Sequence, residues 1–215
     1  MRGAIFDMDG LLLDTERIYQ QTWREMAAEY GVALDGRFTA DIIGISRAGS
    51  LAVIARYLPM VDPDAFVTEG SRRVYEKEAA GIPLMPGVRT ILEGLRGLGF
   101  GLAVASSSGT EMVLRNLRVA GLDPYFDAVV SGQDVQRGKP APDIFLYAAQ
   151  RLGLDAAQCY VFEDSLNGIR AGHAAGSRAI MIPDLVAPTE EVAALCAAIF
   201  PDLGAAWEAI RDGAV

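Results

Sequence analysis

Ile5-Phe6-Asp7-Met8-Asp9-Gly10-Leu11 is the stretch from which the fold can be read. Gly3 to Phe6 form a short apolar run that stops at two aspartates one residue apart. A short apolar run bounded by polar groups reads as a buried strand, here about Arg2 to Phe6. Asp7 then sits at the carboxyl end of the strand and Asp9 in the loop beyond it, where Gly10 permits a sharp turn. Two carboxylates this close repel each other. A hard divalent cation offsets such repulsion, and Mg2+ takes oxygen ligands at phosphate sites. The working hypothesis is that Asp7 is a nucleophile served by the rest of the chain.

Taken alone, Asp7-Met8-Asp9-Gly10 is an ordinary solvated turn. The pattern recurs, however. Cys159 to Phe162 is a second apolar run, ending in Glu163-Asp164, and Phe100 to Ala105 is a third, ending in Ser106-Ser107-Ser108-Gly109. Open α/β sheets bind ligands just outside the carboxyl ends of their strands. Three parallel strands would align Asp7, Asp9, Ser106, Glu163 and Asp164 along one edge.

The chain has 215 residues, 51% of them hydrophobic, enough for one large core with an insertion. The formal net charge is -9 and no basic run occurs, which argues against nucleic acid as a partner. A small anionic substrate fits if a metal and a few local cations invert the field in the cleft. Cys159 falls in a predicted strand and Cys196 in a predicted helix, and both read as free thiols of a reducing compartment. No apolar run reaches transmembrane length, and acidic residues stand where a signal peptide would have its apolar core. The expectation is a soluble cytoplasmic protein with no membrane partner. Composition says nothing of oligomeric state, and a monomer is compatible with it.

In chain order, Thr15 with Glu16 and Arg17 starts a predicted helix to about Tyr30, stopped by Gly31. Tyr19 and Trp23 share one face of it as i,i+4 neighbours, either as core or as the roof of a site. Asp41 to Ile45, Ala48 to Leu58 and Asp64 to Ala79 read as three further helical pieces, punctuated by Gly44, Pro59 and Pro63. This block lacks any strand signal, so residues 15–81 are expected to be an all-helical insertion between core segments 1–14 and 82–215, with Ile82 to Gly87 as the return linker. Then come helix Val88 to Leu98, strand Phe100 to Ala105, helix Thr110 to Ala120 and strand Phe126 to Val130. A loop carrying Lys139 leads to helix Asp143 to Leu152, strand Gln158 to Phe162, helix Ser165 to Ala175, strand Ser177 to Ile182 and a last helix near Leu203 to Ile210. Such alternation predicts an α/β fold, a doubly wound parallel sheet with helices on both faces.

Other motifs carry less. Gly97-Leu98-Gly99-Phe100-Gly101 precedes its strand and lacks the third glycine of a dinucleotide loop. Gly132 to Lys139 has one residue too many for a Walker A loop, and Pro140 replaces its hydroxyl. His173, the only histidine, reads as structural, and a serine hydrolase triad has no support.

Asp7-Met8-Asp9-Gly10, Ser106, Lys139 in Gly138-Lys139-Pro140-Ala141-Pro142-Asp143, and Glu163-Asp164 follow one another in an order that resembles the haloacid dehalogenase-like hydrolase superfamily. The similar branch is that of β-phosphoglucomutase and many sugar-phosphate phosphatases, and the resemblance covers nearly the whole chain. It implies a Rossmann-like core with a helical cap. It implies that Asp7 attacks phosphorus to form an aspartyl-phosphate, and that Asp9 protonates the leaving oxygen and then deprotonates water. It also implies Mg2+ held by the Asp7 side chain, the Asp9 backbone carbonyl and Asp164, with Glu163 direct or through water. Ser106, the Ser107 N–H and Lys139 would hold the phosphoryl oxygens. Thr15, Glu16, Tyr19, Trp23 and Arg47 match cap positions that face the site in similar proteins, the cap acting as a lid.

Two positions depart from similar mutases. A histidine of theirs is Tyr19 here, and a lysine after the Ser106 motif is Gly109. The expectation is therefore a Mg2+-dependent phosphomonoester hydrolase of a small phosphorylated metabolite, a sugar phosphate among the choices. The alternative is a phosphosugar mutase. Dehalogenation would need no intact Asp9, Glu163 and Asp164. A phospho-receiver module carries its acceptor after a later strand and has no inserted cap.

Overall fold

A computed structural model describes residues 2–42 and 47–215, with side chains omitted at Ala40 and Arg47. The chain divides into two compact units, residues 1–14 with 83–215, and residues 15–82.

The first unit contains β1 (Gly3–Phe6), followed after the second unit by α5 (Val88–Gly97), β2 (Gly101–Ser106), α6 (Thr110–Val119), β3 (Ala128–Ser131), α7 (Asp143–Arg151), β4 (Cys159–Glu163), α8 (Leu166–Ala174), β5 (Arg178–Met181), α9 (Glu190–Ala193), β6 (Ala198–Ile199) and α10 (Leu203–Arg211). The six strands form one parallel sheet in the order β3-β2-β1-β4-β5-β6. This is a Rossmann-like α/β fold. The chain builds outward from β1 on one side and then crosses to β4 on the other. The switch point, where open sheets bind ligands, therefore lies between β1 and β4.

Alternation along the strands supplies the two cores. Ile5, Ala103 and Val161 turn to one face and pack with Ile144, Phe145 and Ala148 of α7. Phe6 and Phe162, paired in register, stack with ring centroids 4.7 Å apart. All four residues of β1 and all five of β4 are buried, as strands covered on both faces must be. The connections to the second unit run side by side. Leu13 bridges Leu84, and the Asp14 N–H donates to the Pro83 carbonyl at 2.9 Å.

The second unit holds α1 (Thr15–Glu29), α2 (Gly36–Ile42), α3 (Arg47–Tyr57) and α4 (Pro63–Ala80). Its core gathers Trp23, Met26, Phe38, Ile54, Leu58 and Phe66. Asp62 caps α4 by accepting from the Ala65 N–H at 2.8 Å, with Pro63 in the first turn where its missing N–H costs nothing.

The structure corrects the sequence reading in four places. A sixth strand, β6, extends the sheet; its two residues are too few to give a pattern. The single-turn helix α9 was not expected either. Cys196 therefore lies between α9 and β6, outside any helix, and both cysteines are free. The helix expected over Asp41 to Ile45 runs instead over Gly36–Ile42, because Asp35 accepts from the Arg37 and Phe38 N–H groups and starts it earlier; Ile43, Gly44 and Ile45 lie outside the described residues. Among the described residues no helix is long and apolar enough to cross a membrane.

Candidate active site

The site is assembled at the carboxyl ends of β1, β2 and β4. Asp7 follows β1 directly, and its N–H donates to the Phe162 carbonyl of β4 at 3.0 Å. The loop after Asp7 turns at Gly10, whose φ of 79° is open to glycine. A methyl group there would also stand 2.6 Å from Oδ2 of Asp164, so Asp164 lies directly against this turn.

Lys139 reaches into the cluster from the loop before α7. Its Nζ donates to Asp7 Oδ1 at 2.5 Å, to Glu163 Oε1 at 2.6 Å and to the Ala105 carbonyl at 3.1 Å. The ammonium thus has three acceptors for three protons. Its side chain is 7% exposed and lies 5.0 Å from the Phe145 ring centroid. The second Glu163 oxygen, Oε2, accepts from the Ser165 N–H at 3.0 Å and the Ser165 hydroxyl at 2.9 Å. Asp9 Oδ2 accepts from Ser106 Oγ at 3.2 Å and Ser108 Oγ at 2.9 Å.

The charges do not balance. Asp7 and Glu163 share one buried ammonium, and Asp164, half-buried against the Gly10 turn, adds a third carboxylate nearby. Burial pushes the Asp7 carboxyl up from 3.8 to about 7; Lys139 opposes the rise, while Glu163 and Asp9 add to it. Burial, with Glu163 and Asp7, likewise holds Asp164 well above its ordinary value. Burial disfavours the Lys139 charge, but the Asp7 and Glu163 carboxylates outweigh it and raise the lysine. Excess buried carboxylate with oxygen-only donors suits a hard cation. Among the described residues no three His, Cys, Asp or Glu side chains converge closely enough to hold a metal ion by themselves. Oxygen-only donors of this kind are those that Mg2+ takes where it keeps waters and shares phosphate oxygens.

Direct hydrogen bonds thus join Asp7, Lys139 and Glu163 in one group and Asp9, Ser106 and Ser108 in a second, with Asp164 against the Gly10 turn. Ser107 is exposed beside them. In the helical unit, Thr15 is buried, Glu16 and Tyr19 are half-buried, and Trp23 belongs to the core, stacked on Phe66 at 5.7 Å. The Arg47 side chain lies outside the described residues. Sequence reasoning missed Ser108 and Ser165. Ser165 carried a signal, since a serine before an apolar helical run is an N-cap signature; its hydroxyl accepts from the Gly168 N–H at 3.0 Å.

Fold and site together define a Rossmann-like α/β enzyme with a lysine-clamped carboxylate cluster. The haloacid dehalogenase-like hydrolase family matches residues 1–176. Fructose-1-phosphate phosphatase of Escherichia coli is 38% identical over 189 residues, covering 83% of this chain and 94% of that protein. A haloacid dehalogenase family hydrolase of Deinococcus radiodurans, solved with bound phosphate and sodium, superposes with a TM-score of 0.84 at 30% identity, covering 100% of this chain and 96% of that one. A Thermotoga maritima protein assigned as a β-phosphoglucomutase gives a TM-score of 0.85 at 27% identity, covering 99% of each chain. The chain belongs to the haloacid dehalogenase-like hydrolase family, in its phosphatase branch.

Proposed function

We propose that the protein is a Mg2+-dependent phosphomonoester hydrolase of a small phosphorylated metabolite, with sugar phosphates the leading class. One observation carries the reading: the Asp7 carboxylate, buried at the sheet's switch point, is held by Lys139 with Asp9 two residues away. An Asp7 oxygen attacks phosphorus as the bond to the leaving oxygen breaks, and Asp9 supplies the proton that oxygen needs. Asp9 then takes a proton from water, whose oxygen attacks the aspartyl-phosphate and frees Asp7 and phosphate. Lys139, Ser106 and the Ser107 N–H neutralise and orient the phosphoryl oxygens. Asp7, Asp164 and the Asp9 carbonyl would hold Mg2+, which would supply a charge that offsets repulsion between carboxylate and phosphate. With both oxygens engaged by Lys139 and Ser165, Glu163 acts through the lysine.

The E. coli relative's substrate and the phosphate bound to the Deinococcus neighbour support this reading. The helical unit serves as the cap that selects substrate, with Thr15, Glu16, Tyr19 and Arg47 as its candidate residues; Trp23, packed on Phe66, supports the cap's own core instead. The Thermotoga neighbour favours a mutase as second reading; Tyr19 and Gly109 count against it.

The test is phosphate release from a panel of phosphorylated metabolites, with Mg2+ and with chelator. Release that chelator removes is expected. Conversion of one hexose phosphate to another, dependent on added bisphosphate and without net release, would replace hydrolase by mutase. Ser108→Ala removes the shorter of the two serine hydrogen bonds to Asp9 Oδ2. It should lower kcat about tenfold with KM little changed, since proton transfer and not substrate binding is impaired; steady-state kinetics on the best substrate check this.

A further inference from the structure

Lys139 is held by a carboxylate that is itself held. Glu163 is fully buried, and its Oε2 takes two donors from Ser165 while Oε1 faces Lys139. The Ser165 hydroxyl has one direction available to its proton. Its oxygen already accepts from the Gly168 N–H that begins α8, so its O–H is left to donate to Glu163. Beneath the carboxylate lies Gly168, and a methyl group there would fall 1.8 Å from the Glu163 carboxyl carbon and 1.9–2.1 Å from its oxygens. A buried carboxylate fixed on three sides keeps a single orientation, and the ammonium it faces inherits that orientation.

We infer that Ser165 and Gly168 are positioning residues. Through Glu163 they fix the Lys139 ammonium on Asp7, tying the start of α8 to the candidate nucleophile 158 positions earlier in the chain. The inference deepens the hydrolase reading and rests on it for the consequence in catalysis. The position of the ammonium itself can be tested without any substrate.

The chain has only two lysines, Lys77 and Lys139. Lys77 pairs with Glu25 on the surface of the helical unit, whereas Lys139 is buried among three acceptors. Ammonium protons exposed to water exchange rapidly, and buried hydrogen-bonded ones are protected. Protein labelled with nitrogen-15 at lysine Nζ should therefore show a protected ammonium resonance near neutral pH, which Lys139→Arg removes. Ser165→Ala and Gly168→Ala should each abolish that protection, while Ser165→Thr, which keeps a hydroxyl, should retain it. Backbone amide spectra report that each variant is folded. Wild-type protection in folded Ser165→Ala overturns the inference.

A kinetic cycle reads the same relay. Ser165→Ala should lower kcat about tenfold, because small misplacements of a catalytic group are costly. Combined with Glu163→Gln it should add nothing to the loss from Glu163→Gln alone. Losses that multiply would make Ser165 a helix cap and no more. A wild-type protein without phosphatase activity would sink the hydrolase reading, and the resonance would still decide the fate of the relay.

Discussion

Asp7→Asn is expected to abolish phosphate release, by about 10^4-fold or more in kcat, and to leave the protein at least as stable as it was. The first half follows from the proposed chemistry. An amide oxygen of the same shape accepts the Lys139 hydrogen bond but does not form the acyl-phosphate, and loss of a covalent nucleophile is among the costliest single changes to an enzyme. The second half follows from electrostatics. Asp7 is 7% exposed, and burial lifts its carboxyl to about 7 from 3.8. Between roughly pH 4 and 7 the folded metal-free protein therefore keeps a proton on Asp7 that the unfolded chain has released. Stability contributed in this way is present below the unfolded value and is lost as pH rises through the folded one. Asparagine does not titrate. Metal-free Asp7→Asn should then melt at or above the wild-type temperature at pH 8, with a shallower loss of stability between pH 5 and 8. Added Mg2+ should raise the wild-type melting temperature more than the variant's, because a cation that binds only the folded state stabilises by its affinity. A fully active variant would remove Asp7 from the chemistry. A variant that melts far below wild type at pH 8 would mean that its charge holds the fold together.

Much of this was legible in the sequence because buried parallel strands are continuous apolar runs. Gly3 to Phe6 and Cys159 to Phe162 had to end where polar groups begin, and the polar groups standing there, Asp7 and Glu163, had to meet at one sheet edge. The pairing of Phe6 with Phe162 realises that expectation. β6 had no comparable signal, being two residues at the sheet edge with Ile199 exposed. The early start of α2 is encoded in Asp35, a helix-capping residue, although Asp35 is also a common turn residue and so is no decisive signal by itself. Which partner each polar group takes could not be read. Lys139 and Glu163 lie 24 positions apart, and only the folded sheet shows that the lysine answers to Glu163 as well as to Asp7. Trp23 illustrates the same limit. Its i,i+4 spacing with Tyr19 marks a helix face but does not say what that face meets, and Phe66 of α4 meets the indole.

Lys139→Met should be the most destabilising change in the cluster. Methionine keeps an unbranched apolar stem beside Phe145 and removes the charge, so lost volume is a minor cost. Asp7 Oδ1, Glu163 Oε1 and the Ala105 carbonyl lose their shared donor. With Lys139 and Asp7 side chains 7% and 10% exposed and Glu163 1%, water does not replace it. Removing one partner of a buried ion pair costs about 3–5 kcal/mol because the remaining charge stays desolvated. In a chain of this length that is a fall of roughly 10 °C in melting temperature. The penalty has a pH signature: it should be greatest at pH 8, where Asp7 is ionised, and shrink toward pH 5 as Asp7 takes up its proton. Adding Glu163→Gln to Lys139→Met should recover part of the loss, since one of the stranded charges is then gone. Phosphate release should fall by about 10^2- to 10^3-fold even at temperatures where the variant is folded, the usual cost of deleting one donor to a developing oxyanion. Thermal melting across pH, paired with kinetics well below the melting temperature, separates the two effects. Equal stability of Lys139→Met and wild type at pH 8 would show that the lysine is not the counter-charge on which Asp7 and Glu163 depend.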